Sequence, residues 1–520
     1  MCYKNKVVWH IKTYGRQTIY APYTEEQFLN FQGDDLYNAV IGIIQQAENI
    51  HQKNHDDSVY LKKFLYGDQD IYRDKQKLTR PEIDNKTVEN WAYAIIDFKK
   101  TYLLGKPIQY VQINDSSEDE ISALNAYVRY ESKKAKDLLI YEDVLTCGRG
   151  FRYVNKDGEK QEDEAPFEII NCPVEDTEIV YSNALGNKQL FAYIVTNMED
   201  VVQVPDKNGN LIDEPYNYKQ YTVYTRDLQF VVNNKLGQYQ IVGEPIPLLN
   251  KVHRITEYYV NEKRIGLIEL GKDLLNDINY LESLDKDDME QFVNAIMVFT
   301  NAEVSANDLA EIRELGAVCI NSTDQKKASI DLLQGRLNAT DTQTYYNRLL
   351  NALHQILGVP MASDTGSVTY GDTGKAKLTG QGYTSAGIRA EGDETMFGMC
   401  DLKSLNTILA ICRAESGSQI KTLKVSQLDA RFQRDMSDNL LVKTQGLLNL
   451  YSCDIPRKYA NSIVNLFGDP AAVTKDQERE FGKQVSQQGA KTNDTTNDDD
   501  KATEQTNDIQ NNLQLDLQEQ

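Results

Sequence analysis

Apolar side chains recur every three or four residues through much of this chain, and the places where that rhythm stops or turns to alternation mark its parts. Between Asn85 and Tyr110, the residues Val88, Trp91, Ala92, Ile95, Ile96, Phe98 and Tyr102 line one face of a helix, which Gly105 and Pro107 terminate before extended chain begins. Shorter helical patterns precede it at 25–31, 35–49 and 58–66. A further helix is expected over 118–141, with Ile121, Leu124, Tyr127, Val128 and Leu138 on its buried side. Six runs then alternate or carry β-branched and aromatic residues between turn clusters, at 150–154, 167–170, 177–181, 190–196, 218–225 and 228–233. They predict an antiparallel sheet within a mixed α/β domain.

From Gly266 the helical rhythm returns. Leu267, Leu270, Leu274, Ile278, Leu281 and Leu284 predict a long helix reaching about Asn294, with a thick acidic opposite face. A compact piece follows, with strands expected at 295–299 and 316–320 and a short helix at 306–315 between them. Thr340 then caps a second helix, in which Tyr345, Leu349, Leu350, Leu353, Ile356 and Leu357 share one side and Gly358-Val359-Pro360 supply the stop. Residues 361–374 are small and polar with three glycines, which predicts a flexible loop. The stretch 375–413 reads as helix broken by Gly380, Gly382, Gly387 and Gly392, each weakening it by ~1 kcal/mol relative to alanine, so a kinked or segmented helix is expected. Helices at 435–451, 456–466 and 475–484 close the ordered pattern. From about Gln487 the chain is Asn, Gln, Thr and Asp with few apolar residues, the composition of a disordered tail. The fold class these elements predict is α+β, mainly helical.

Length and charge sharpen that picture. At 520 residues the chain is too long for one ordinary core and, at roughly 150 residues per domain, predicts three or four folded units. Lys and Arg number 56 against 78 Asp and Glu, a formal charge of -22, which argues against gripping nucleic acid through a basic patch. An acidic surface suits a different relation to DNA, because repulsion from the phosphates prevents sticking and lets a duplex slide. The seven cysteines are scattered singly without a C-x-x-C and read as reduced thiols. No run approaches 18 apolar residues and the first twenty residues lack a signal-peptide pattern, so a soluble protein folded in cytoplasm, with no membrane segment, is expected.

Candidate chemistry is thin. His51 and His55 have the spacing that brings two imidazoles to one metal, but no third ligand is evident. The 206–213 run imitates the opening of a calcium loop, although Asn208-Gly209 between extended runs reads more simply as a hairpin turn. Gly380-Gln381-Gly382 follows no strand, and neither a dinucleotide fingerprint nor a phosphate-binding P-loop occurs. Asp285, Asp287, Asp288 and Glu290 could imitate a two-metal nuclease, yet charges along one helix more often form a solvated or subunit-facing surface. No catalytic residue, metal site or cofactor is expected.

In detail, the 85–110 segment resembles the portal proteins of tailed bacteriophages: an Asn, then Ile95-Ile96-Asp97 with its following lysines, then Tyr102-Leu103-Leu104-Gly105-Lys106-Pro107. Further echoes follow in the family's order at 148–151, 246–247, 270–294, 353–360 and 372–376, over roughly 400 residues. The resemblance implies an N-terminal arm and wing over 1–265, stem helices at 266–294 and 339–359, a clip at 295–338, a tunnel loop at 360–374, a long helix at 375–435 completing the wing, a crown at 436–484 and an acidic tail at 485–520. It implies a ring of about twelve copies at one capsid vertex that passes double-stranded DNA while a separate terminase large subunit hydrolyses ATP. The other implied partners are the major capsid and scaffolding proteins and the head-completion or adaptor proteins, so the protein would be found in the virion and, during assembly, in the host cytoplasm. Under that reading Ser367, Val368, Thr369 and Tyr370 form the loop tip that meets DNA, with Lys375 and Lys377 as the nearest cations. Leu267, Leu270, Leu274, Ile278, Leu281, Leu349, Leu353 and Ile356 would form the stem contact between subunits. The chain departs from the family in its glycine-broken helix after the loop. Two other classes remain: a metal-dependent nuclease or phosphatase using the acidic helices, and a scaffold that never handles DNA.

Overall fold

A polar stretch flanked by two apolar ones need not interrupt a helix if its polar groups find partners. The 35–49 and 58–66 patterns belong to one continuous helix, Asp34–Leu65, whose middle buries His51, Asn54 and Ser58. Asn54 accepts from the Gln17 N–H and donates to the Gln17 carbonyl, both at 2.9 Å, and also donates to Glu178 at 3.0 Å. The computed structural model in which this is seen describes residues 15–480 except 78–80, 114–117, 158–163, 206–210, 249, 294–295, 301–328, 334–338, 362–382, 434–439, 454, 465–472, 475 and 478. Contacts divide the chain into two units, 1–435 and 436–520.

The expected 118–141 helix is corrected in the opposite sense, to two helices, Glu118–Tyr130 and Lys133–Cys147. Ser132 between them adopts the left-handed region, φ 52°, which no α-helix interior tolerates. The signature helix runs Trp91–Leu104, and the Asn90 side chain caps it by accepting from the Tyr93 N–H.

All six expected strands are present. They lie, with Ile19–Ala21, Gln238–Pro247 and Ile255–Tyr258, in two sheets. The larger has the order Ile19–Ala21, Thr177–Ser182, Gln189–Pro205, Leu211–Tyr224, Leu228–Lys235, Gln238–Pro247, antiparallel except for its first pair. The Asp34–Leu65 helix covers one face of it, setting Leu36, Val40, Ile43 and Ile44 among Val180, Phe191, Tyr221 and Phe230. Ile255–Tyr258, Gly150–Lys156 and Phe167–Cys172 make the smaller sheet. Gln109–Gln112 pairs with Leu428–Arg431, which joins the signature segment to a strand more than three hundred residues later. Pro205 pairs with Leu211, so 206–210 connects a hairpin.

The long helix Tyr383–Ala414 is unbroken over 32 residues, which corrects the expected segmentation within it. Gly387 and Gly398 are buried, and a Cβ at Gly398 would stand 3.3 Å from the Phe432 ring, so the small residue admits a close neighbour. Burial of Phe397, Leu405, Ile408 and Leu409 in the main core outweighs the propensity cost of the glycines. Residues 375–382 of the expected helix lie outside the described residues, as do the 306–315 helix and the 316–320 strand. The strand Ile296–Thr300 pairs with Ser329–Leu333, which the pattern did not mark.

The second unit contributes the helices Leu440–Ser452 and Arg457–Val464, with Arg457 stacked over the Tyr451 ring. The tail 485–520 lies outside the described residues. Among the described residues no helix is long and apolar enough to cross a membrane.

Candidate functional site

The two helices expected to flank a compact insert are Leu267–Val293 and Ala339–Leu357, and they pack on each other as an antiparallel hairpin. Gly271 makes their close approach possible: a Cβ there would press on Leu353 and Leu357 at 3.0 and 3.1 Å. The first helix starts from a crowded junction. The Glu269 carboxylate accepts from the backbone N–H of Gly266 at 2.8 Å and of Gly15 at 3.0 Å, and pairs with the buried Arg16. Acceptors at a helix N-terminus satisfy donors that the helix leaves open. Gly148, at φ 82°, and Gly266 sit so close to the carbonyls of Arg264 and Thr146 that no side chain fits.

The Leu267–Val293 helix has three distinct faces. One is apolar and meets the second helix through Leu275 and Ile278. The second is a polar stripe. Lys272 and Asn276 reach Asp70, both at 3.1 Å, and Asn279 accepts from the Glu89 N–H at 2.8 Å. Ser283 accepts from the Thr87 N–H at 2.9 Å, while Asp287 binds Lys75 at 2.7 Å and the Asn85 backbone N–H at 2.7 Å. Glu290 ends the stripe by accepting from the Asn85 side chain at 2.7 Å. The third face, through Leu270, Asp273, Asp277 and Tyr280, is exposed.

These contacts correct the reading of the acidic face as a solvated or subunit-facing surface at Asp287, while Asp285 and Glu290 are exposed. Asp287 is buried, and although burial opposes its charge, Lys75 and the two Asn85 donors hold its pKa below the usual carboxylate range. Asp285 is exposed and Asp288 half-buried, and burial with the neighbouring carboxylates pushes Asp288 up. Asp70, Lys75 and residues 85–90 are thus a mount for the hairpin, and Glu89 ties both helices to it. Its carboxylate accepts from the Trp91 indole at 2.9 Å and from the Tyr346 hydroxyl at 2.7 Å, and the Trp91 ring packs edge-on against His354.

Of the eight residues expected at a subunit contact, Ile278, Leu349 and Leu353 are buried inside the subunit. Leu267, Leu274 and Leu281 are half-buried against the same core, because the apolar stripes of the two helices meet each other first. Leu270 and Ile356 remain about half exposed, at 51% and 49%. Ser367, Val368, Thr369, Tyr370, Lys375 and Lys377 lie outside the described residues, and so does Gly380-Gln381-Gly382. The flanks of that segment are held together. Arg389, from the Tyr383–Ala414 helix, donates to the carbonyls of Ile356 at 2.7 Å and Gln355 at 3.0 Å, a cation on the C-terminus of the second hairpin helix. Gly358, at φ 68°, and the Val359 N–H bonded to the His354 carbonyl complete the stop that the Gly-Val-Pro run predicts.

His51 and His55 turn to different carboxylates, Glu178 at 3.7 Å and Asp176 at 3.1 Å. Among the described residues no group of three side chains is arranged to hold a metal ion. A buried charge cluster went unread. Asp401 receives Lys133 at 2.9 Å and the hydroxyls of Tyr110 and Tyr258 at 2.6 and 2.9 Å, while Asp137 receives Lys133 and Arg152, both at 2.8 Å. Burial opposes the Asp401 charge, but Lys133 and Arg152 override it and lower its pKa. The sequence signal is a lone Asp inside the apolar run from Phe397 to Leu405.

The family model for phage portal proteins of the SPP1 Gp6-like type matches residues 44–488. The protein named "Portal protein" of Bacillus phage SPP1 is 22% identical over 235 residues, and the matched stretch covers 44% of this chain and 44% of that relative. The match therefore spans less than half the length of the curated relative. The family model, in contrast, runs through the mount, both hairpin helices and the Tyr383–Ala414 helix, and on that extent the chain belongs to the SPP1 Gp6-like family of phage portal proteins.

Proposed function

We propose that this chain is one subunit of a closed ring, a dodecamer, that sits at a single capsid vertex and conducts double-stranded DNA during packaging and ejection. The observation that carries the reading is the family match, which takes in the whole hairpin and its mount. The hairpin would be a wall segment of the channel, with 266–294 and 339–359 as stem, 295–338 as clip, 375–435 completing the wing and 436–484 as crown. The 360–374 loop would approach the duplex through Ser367, Val368, Thr369 and Tyr370, with Lys375 and Lys377 nearby. The formal charge of -22 per subunit supports a wall on which phosphates do not stick. ATP hydrolysis would belong to a terminase docked on the ring, and adaptor, scaffolding and major capsid proteins would be the other partners.

Of the four carboxylates of the nuclease alternative, Asp287 is already bound by Lys75 and Asn85. A scaffold that never handles DNA is separated by experiment. Native mass measurement with negative-stain imaging is expected to give particles of about 0.7 MDa, twelve times 59.2 kDa, with a central opening. A monomer or dimer, or a particle without an opening, would end the proposal. A ring that assembles but supports no DNA filling of heads would leave the scaffold.

A further inference from the structure

The exposed face of the Leu267–Val293 helix has a spacing of its own. Leu270, Asp273, Asp277 and Tyr280 are exposed and Leu284 is half-buried, and they follow one another at steps of three, four, three and four, the interval at which one helix meets another. Asp273 and Asp277 stand one turn apart with no ion pair to either among the described residues, and burial together with Asp273 raises the Asp277 pKa. Like charges at this spacing oppose each other.

The Ala339–Leu357 helix carries a stripe of the same period. Asp341, Thr344, Arg348, Asn351 and Gln355 are all exposed, and Arg348 has no anionic partner among the described residues. The register of the hairpin sets the two stripes at equal height. Gly271 lies against Leu353 and Leu357, and Glu89 meets Asn279 through its backbone and Tyr346 through its carboxylate. Between those two crossings Arg348 stands within a turn of Asp277 and Tyr280, and Gln355 within a turn of Asp273.

We propose that the two stripes are the two sides of one contact between copies of this chain. Arg348 of one subunit pairs with Asp273 and Asp277 of the next, Asn351 and Gln355 add amide donors, and Leu270, Tyr280 and Ile356 close over the pair. The proposal rests on the ring reading above and gives that ring its lateral bond. Contact of the first stripe with its own copy would set Asp273 and Asp277 against the same two carboxylates. Stripes on different helices at equal height instead join head to tail, which is the arrangement that closes into a ring.

Charge exchange tests the pairing. Arg348→Glu, and separately Asp273→Lys combined with Asp277→Lys, change exposed positions and are expected to leave the melting temperature of the monomer unchanged. Each variant alone should lower the fraction of protein in rings by at least about tenfold at fixed concentration, because every interface then opposes like charges. An equimolar mixture of the two should recover rings, since alternating subunits again face Glu with Lys and Arg with Asp. The triple substitution on one chain should recover them as well. Rings from either variant alone as readily as from the unaltered protein would overturn the pairing. Failure of both the mixture and the triple variant would overturn it too, while rings from the unaltered chain kept the ring reading intact. Absence of rings from the unaltered chain would sink that reading and the pairing with it.

Discussion

Two long helices of this subunit bury charge in opposite ways. Tyr383–Ala414 carries one carboxylate, Asp401, into the interior, where it is met by Lys133 from one helix and by side chains of three strands, Tyr110, Arg152 and Tyr258. Leu267–Val293 spreads its polar contacts along a face, about one per turn, and their partners are backbone and side-chain amides together with Asp70 and Lys75. In the first, two carboxylates and two cations cancel inside a closed cluster, so loss of any member strands the others. In the second, each contact is modest and at most two share a partner, as Lys272 and Asn276 share Asp70. The body is locked at a point, whereas the hairpin is fastened along a line.

The sharpest way to break this contrast is Asp401→Ala, which leaves Lys133 and Arg152 sharing Asp137 alone. A loss of about 3–5 kcal/mol is expected in denaturant unfolding, and a loss below about 1 kcal/mol would remove the idea of a point lock. Next comes the acid response of the Arg149–Glu178 pair, also in the body. Arg149 grips Glu178 through two 2.7 Å bonds and, against full burial, brings its pKa down to about 2 from 4.5. A depressed carboxyl contributes stability that is fully present above its unfolded pKa and is lost as pH falls toward the folded one. The pair should therefore contribute about 3 kcal/mol above pH 4.5 that fades toward pH 2, and the stability gap between the natural chain and Glu178→Gln should narrow over that window.

On the hairpin the effects should be smaller and local. Asp287→Asn removes the charge opposite Lys75, with an expected cost of about 2 kcal/mol, read as faster amide exchange in the last two turns of the helix rather than as global unfolding. Tyr346→Phe removes one hydrogen bond to Glu89 and should cost about 1 kcal/mol. Combined, the two should add to within about 0.5 kcal/mol, because they act on different turns and share no partner. Strong coupling between them would mean that the fastening is a unit like the Asp401 cluster.

Periodicity located both hairpin helices to within two residues of their ends, because long amphipathic stretches with a clear stop leave little choice. It failed where distant groups decide the outcome. The Asp34–Leu65 helix continues because Asn54 finds Gln17 and Glu178, partners that no local pattern reveals. Tyr383–Ala414 continues through the buried Gly387 and Gly398 and the exposed Gly392 because the apolar residues beyond them are buried in the main core. For the candidate site, the apolar stripe was legible but its destination was not: Ile278 and Leu353 point into their own subunit, and what stays exposed is the mixed stripe around Asp277 and Arg348. The acidic face showed as composition, yet its use as a mount depends on Asp70, Lys75 and residues 85–90 arriving beside it.

Six side chains from Lys272 to Glu290 fasten the helix over roughly 27 Å of its length, at 1.5 Å per residue. Mechanically this is a beam bolted along its span and not a cantilever clamped at one end. A tug parallel to the axis, of the kind a polymer sliding past would exert, is shared as shear among bonds loaded side by side. One bolt can open and close again while the rest hold the beam in line.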